Sequence, residues 1–167
     1  PWPPTCTHRG YFNVTRAINT DSTDVEQFNR AEDTCEHQVF EIMRFLRKYC
    51  PGFEHCTLGQ LMPYLGIRES RRIVGLKTLT SDILQTLPIP EDTVALSGYN
   101  VDIHGQTSGI MTMYPVAHAV GIPYGCLVPE KTEGLIIAGR PISVDQTIFG
   151  MTRVMSTCMA VGEAAGT

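Results

Sequence analysis

Apolar residues recur at three- and four-residue spacing from Val25 to Tyr49, through Phe28, Cys35, Val39, Ile42 and Leu46, with Glu32 in register. That spacing predicts an amphipathic helix. Thr23 with Glu26 forms a capping box at its start, and Pro51-Gly52 stops it. A helix of about 27 residues would be about 40 Å long. A repeat this long also suits a coiled coil. One long helix laid across a sheet, with Glu36, Glu41, Arg44 and Lys48 in water, is the simpler expectation.

Shorter patterns flank it. Tyr11–Ile18 alternates like a strand, and Leu61–Gly75 reads as one or two strands. Thr80-Ser81-Asp82 opens a short helical turn that Pro88-Ile89-Pro90 closes. Val94–Leu96 and Tyr99–His104 are strand-like, residues 105–115 predict a loop, and Ile122–Pro129 predicts an extended segment with turns. Leu135-Ile136-Ile137-Ala138 reads as a short strand buried on both faces. Met151–Ala165, rich in small and apolar residues, predicts a close-packed final helix.

Composition narrows the classes. With 167 residues, 43% apolar and 18% charged, the chain holds enough for one sizeable core. A net charge of −4 argues against a nucleic-acid partner, because phosphate contacts need clustered Lys and Arg. No apolar run approaches the roughly 18 residues of a membrane span. Pro1 opens no signal peptide and Thr167 falls inside the final helix, so the chain is expected to be a piece of something longer. The six cysteines are too few for a disulfide scaffold and point to a reducing, cytoplasmic setting. Cys6 with His8, and Cys35 with His37 near His55-Cys56, invite a zinc reading. Cys35 and His37 lie two apart on a helix, on nearly opposite faces, so reduced thiols and no metal are expected. Asn13-Val14-Thr15 matches a glycosylation sequon by form alone.

Several residues offer chemistry. In a strand, Arg68 and Arg72 would face one side and could clamp a carboxylate substrate, with Arg71 and Glu69 opposite. Ion pairing to the acidic helix is the competing account. His104 suits a general acid or base, and Asp102, two residues away on the same strand face, could orient its imidazole. A structural histidine remains the alternative. Tyr124 and Cys126 are weaker candidates. A strand at 135–138, a glycine break and a small-residue helix would place a helix N-terminus at a strand end, where anions are attracted. An ordinary packed strand–helix unit explains the same residues.

Gly134-Leu-Ile-Ile-Ala-Gly-Arg140 and Arg153-Val-Met-Ser-Thr-Cys-Met-Ala-Val-Gly-Glu-Ala-Ala-Gly166 closely resemble the C-terminal end of a family of FAD-dependent oxidoreductases in the glutathione-reductase-like group. So, in order, do Phe12–Arg16, Phe45–Tyr49 with Pro51-Gly-Phe53, Ile67–Gly75, Thr78-Leu-Thr80, Val101-Asp-Ile-His104, Ile122-Pro-Tyr124 and Cys126-Leu-Val-Pro129. The resemblance covers essentially the whole chain. It implies an α+β substrate domain over about 1–130, its long amphipathic helix packed on a mixed sheet. It also implies a strand–helix over about 131–167 returning to an FAD-binding α/β domain. No two glycines here are separated by one residue, so the G-x-G-x-x-G fingerprint is absent, and the N-terminal FAD-binding half is the expected partner. The implied activity is hydride transfer between flavin and a small organic substrate. His104, which the resemblance favours, and Arg68 and Arg72, from their shared strand face, are the expected catalytic residues. Gly139, Arg140, Arg153, Val154, Met155 and Thr157 are the implied FAD contacts. Self-association, as a homo-oligomer, is left open, and this piece alone is expected to be inactive. Gly125, Pro141 and Gln146-Thr147 depart from the family pattern of Arg, Cys and His-Glu at those places. The competing function class is a non-enzymatic binding or assembly module that uses the long helix as its interface.

Overall fold

The computed structural model describes residues 9–85, 89–105 and 111–167. It divides into two compact units, 1–66 and 67–167.

In the first unit the periodic pattern forms helix α1, Val25–Tyr49, 25 residues long. Its cap differs from the expected Thr23–Glu26 box. The Asp24 carboxylate accepts from the backbone N–H groups of Glu26 at 2.9 Å and Gln27 at 3.2 Å. Thr23 instead donates its hydroxyl to Asp21 at 2.7 Å. An acceptor-only carboxylate at the N-cap satisfies two orphan donors of the first turn and also meets the positive end of the helix dipole. Residues 11–18 are not a strand. The Gln38 amide accepts from the Arg16 N–H at 2.7 Å and donates to the Arg16 carbonyl at 2.8 Å. A side-chain amide thus does for this extended segment what a neighbouring strand would do. No strand occurs among the described residues of this unit, so the expected sheet beneath the helix is not found there. Within α1 the buried residues are Ala31, Cys35 and Leu46.

The second unit carries four strands, β1 (Thr93–Ser97), β2 (Val101–His104), β3 (Met111–Tyr114) and β4 (Val120–Pro123). Two helices follow, α2 (Gln146–Thr152) and α3 (Met155–Gly166). The fold is α+β, but the expected mixed sheet is replaced by two antiparallel pairs, β1 with β4 and β2 with β3. The short 3-10 turn expected from Thr80 is present at Ser81–Gln85. Strand β3 falls where a loop was expected. Its four residues are all exposed, so no apolar face marks it in the sequence, and pairing with β2 alone defines it. The remainder of that expected loop, 106–110, lies outside the described residues.

Leu135–Ala138 is not a strand either. It makes one backbone bond, from the Ile137 N–H to the Leu127 carbonyl at 2.8 Å, and Leu135 is exposed. A strand needs a ladder partner, which apolarity alone does not supply. Likewise the strands expected in 61–75 are absent, yet the extended stretch 73–79 threads between two others. The Leu76 N–H reaches the Val128 carbonyl and the Leu79 N–H reaches the Ser143 carbonyl, at 2.9 and 3.1 Å. Isolated bridges join Gly75 to Pro129 and Leu79 to Val144. The expected final helix begins four residues late, at Met155, because the chain turns at Arg153. The separate helix α2 before it was not expected. Asp145 caps α2, accepting from the Ile148 N–H at 2.8 Å and the Ser81 N–H at 2.6 Å.

Val101, Val120, Ile122, Cys126, Leu127, Ile142, Ile148, Met151 and Val161 form the core. α2 packs on β2 and α3 on β1. Residues 131–167 share one compact unit with 67–130.

Candidate functional site

The close approach of α2 to β2 builds the site. A Cβ placed on Gly150 would stand 2.8 Å from the Asp102 carbonyl oxygen and 3.2 Å from its backbone nitrogen. Only glycine allows the two backbones this near, and the approach brings Arg153, just past α2, onto Asp102. Arg153 donates to the Asp102 carbonyl at 3.1 Å and to its carboxylate Oδ2 at 3.0 Å. Burial, and then the like charge of Arg68, push the Arg153 guanidinium below its ordinary value, while Asp102 draws it back up. The Arg68 guanidinium approaches the same Oδ2 at 3.7 Å. Two cations therefore share one buried carboxylate.

His104 completes the cluster. Strand alternation puts its side chain on the same face as Asp102, and its Nε2 lies 3.1 Å from Asp102 Oδ1. That approach is outside hydrogen-bonding geometry, and among the described residues no other donor reaches the buried Oδ1. Arg68 lies 2.8 Å from the same Nε2. A guanidinium only donates, so at this contact Nε2 is the acceptor and the ring carries its proton on Nδ1. Arg68, Glu69, Asp102, Ile103, His104 and Gln146, with Phe149, Gly150 and Arg153, line a cleft of about 70 Å³.

Arg72 does not share a strand face with Arg68, since that strand is absent. It pairs with Glu69 and stacks over the Phe149 ring at 5.1 Å, behind the cleft wall. The arginine that shares Asp102 with Arg68 is Arg153, 85 positions along by number. The sequence marked Gln146 as a departure from the family pattern, and Phe149 and Gly150 not at all. The glycine between apolar Phe149 and Met151 was the available signal of close packing.

Gly139 has a φ of +80°, and a Cβ there would meet nothing within 4 Å. Arg140 donates to the Ile67 carbonyl. Its charge also acts on the Cys158 thiol of α3, partly offsetting the burial that pushes that thiol up. Val154 is the N-cap of α3 and offers no side-chain acceptor to the first turn. Met155 is exposed, whereas Thr157 is buried and meets the Ser97 hydroxyl at 3.1 Å. Gly125 departs from the expected arginine for a local reason. A Cβ there would lie 2.8 Å from the Lys77 stem, whose Nζ holds Asp92 at 2.7 Å. The departure at Gln146 bears on chemistry, because Gln146 lines the cleft and leaves His104 as the imidazole among its described lining residues.

Among the described residues no three His, Cys, Asp or Glu side chains gather to hold a metal. Cys6 and His8 lie outside them. Cys35 is buried and His37 exposed, on the opposite faces their spacing implies. No described helix is long and apolar enough to cross a membrane.

A family model described as FAD dependent oxidoreductase matches residues 4–167, and the chain belongs to that family. It is a flavoprotein of the oxidoreductase class, and its cofactor is FAD. No curated protein and no solved structure matches the chain. The residues present fit one edge of that group. The first turn of α3 has N–H groups without a side-chain cap, Gly139 leaves open backbone, and Arg140 supplies charge beside α3.

Proposed function

We propose that this chain forms the substrate domain and the returning C-terminal segment of an enzyme that moves hydride between FAD and a small organic molecule. The observation that carries the proposal is the convergence of His104, Asp102, Arg68 and Arg153 at one cleft in a chain of this family. Bound FAD supplies the two-electron acceptor or donor. His104 holds or takes the substrate proton at Nε2 once Arg68 moves off it, and Asp102 Oδ1, 3.1 Å from that nitrogen, offers a counter-charge to the imidazolium so formed. Arg68 orients the substrate, and Arg153 anchors Asp102. Arg72 keeps Phe149 in place rather than touching substrate. Gly139, Arg140, Val154, Met155 and Thr157 lie on the elements that would face the flavin edge, where uncapped N–H groups favour developing negative charge. The nucleotide-binding fingerprint is not in these 167 residues, so the N-terminal FAD-binding half supplies the adenosine site, and this piece alone is inactive.

The test is an FAD titration of the 167-residue chain, followed by flavin fluorescence. No saturation is expected at or below about 10 μM, so binding is weaker than roughly −7 kcal/mol at the 1 M reference. Saturation in that range would show that this piece holds the cofactor by itself and would overturn the division. A complete protein that stays colourless when supplied with FAD would overturn the redox reading. The second reading, a binding module, would then stand. Its supporting observation is the exposure of Phe40, Phe45 and Tyr49 along α1 (47%, 56% and 60%).

A further inference from the structure

We infer that the cleft takes the single carboxylate group of a small organic acid, gripped by Arg68 near the fixed charge of Arg153 and beside His104. The inference rests on reading this cleft as the substrate side of the flavoenzyme. It names the substrate class. Charge comes first. Arg68, Arg72 and Arg153 face Glu69 and Asp102, so three cations against two carboxylates leave one positive charge, in a chain whose net charge is −4. One anionic charge neutralises it, and a phosphate near the dianion would overshoot. Geometry agrees. Arg153 is a fixed base, its side chain 10% exposed and bonded twice to Asp102, whereas the Arg68 side chain is 47% exposed and only 3.7 Å from that carboxylate. A planar guanidinium has five donors in a fork that matches the two oxygens of a carboxylate. Arg68 can therefore turn from Nε2 of His104 to an incoming acid, freeing that nitrogen for the proton chemistry. Phe149 provides an apolar wall for the carbon that bears the carboxylate, and about 70 Å³ admits a small, flat group. The face-sharing pair suggested by strand alternation, Arg68 with Arg72, is replaced here by Arg68 with Arg153.

Acetate is the probe, titrated into the chain at constant ionic strength while the His104 ring and Arg68 side-chain NMR signals are followed. Saturation is expected with a Kd on the order of 1–10 mM, in keeping with a four-atom ligand. Phosphate should bind at least about tenfold more weakly. Arg68→Met should abolish saturation, and Arg68→Lys, which keeps the charge but loses the fork, should weaken it about tenfold or more. Both variants are checked for native spectra, and the lysine variant decides if the methionine variant fails to fold. No saturation by about 100 mM acetate, equal affinity for phosphate, or unchanged binding in the Arg68 variants would overturn the inference. Failure here with flavin colour retained in the complete protein would sink the carboxylate inference alone. Acetate binding in a protein that never takes up flavin would sink only the redox reading.

Discussion

Replacing Asp102 by Asn removes the charge that holds Arg153 while keeping the side-chain shape. Both partners are well buried, with side-chain exposures of 10% for Arg153 and 12% for Asp102. Stranding one member of a buried pair costs about 3–5 kcal/mol. The bond from Arg153 to the Asp102 carbonyl at 3.1 Å survives the substitution, so the lower end, about 3 kcal/mol, is expected. For a unit of roughly 100 residues that lowers Tm by roughly 12–24 °C. Urea unfolding, read from NMR amide signals of β2 and α2, isolates the second unit from α1. Arg153→Met alone leaves the Asp102 carboxylate without its main counter-charge and should cost about as much. The double variant strands neither charge. It should cost at least about 1 kcal/mol less than the sum of the singles. Additivity within about 0.5 kcal/mol would refute the claim that the two side chains act as one buried pair.

Two further outcomes follow from the packing. Gly150→Ala places a methyl 2.8 Å from the Asp102 carbonyl, where only backbone could yield. It should cost about 1–3 kcal/mol in thermal unfolding, and a change below about 0.5 kcal/mol would show that α2 does not press on β2. Burial pushes the Cys126 and Cys158 thiols up, so in alkali the unfolded chain loses those protons before the folded one does. The folded state then binds more protons. Stability from these groups is thus complete below the unfolded thiol value of about 8.5 and falls as pH rises above it. Denaturant midpoints measured at pH 8, 9 and 10 should decline, less steeply in Cys126→Ala, and a midpoint that climbs with pH would contradict the assignment.

How much was legible differs by kind of signal. The sequence by itself determined α1, because seven apolar positions in register describe a helix whatever surrounds it. It also determined β1, the run from Val101 to His104, and the shared face of Asp102 and His104, since strand alternation is a local rule. Its long motifs determined the family, which the match over 4–167 bears out. The tertiary structure decided whatever needed a distant partner. Leu135–Ala138 had the composition of a strand but no ladder, while Met111–Tyr114 had no apolar face and became a strand through β2. Gln38 took the role of a strand for Arg16. Above all, the site was chosen by a contact between elements. Arg68 has Arg72 near it in sequence, but in space it meets Arg153, because Gly150 lets α2 descend onto β2 and sets two guanidinium groups on one buried carboxylate. Local periodicity fixes which way a side chain points along its own element, and only packing fixes what stands opposite it.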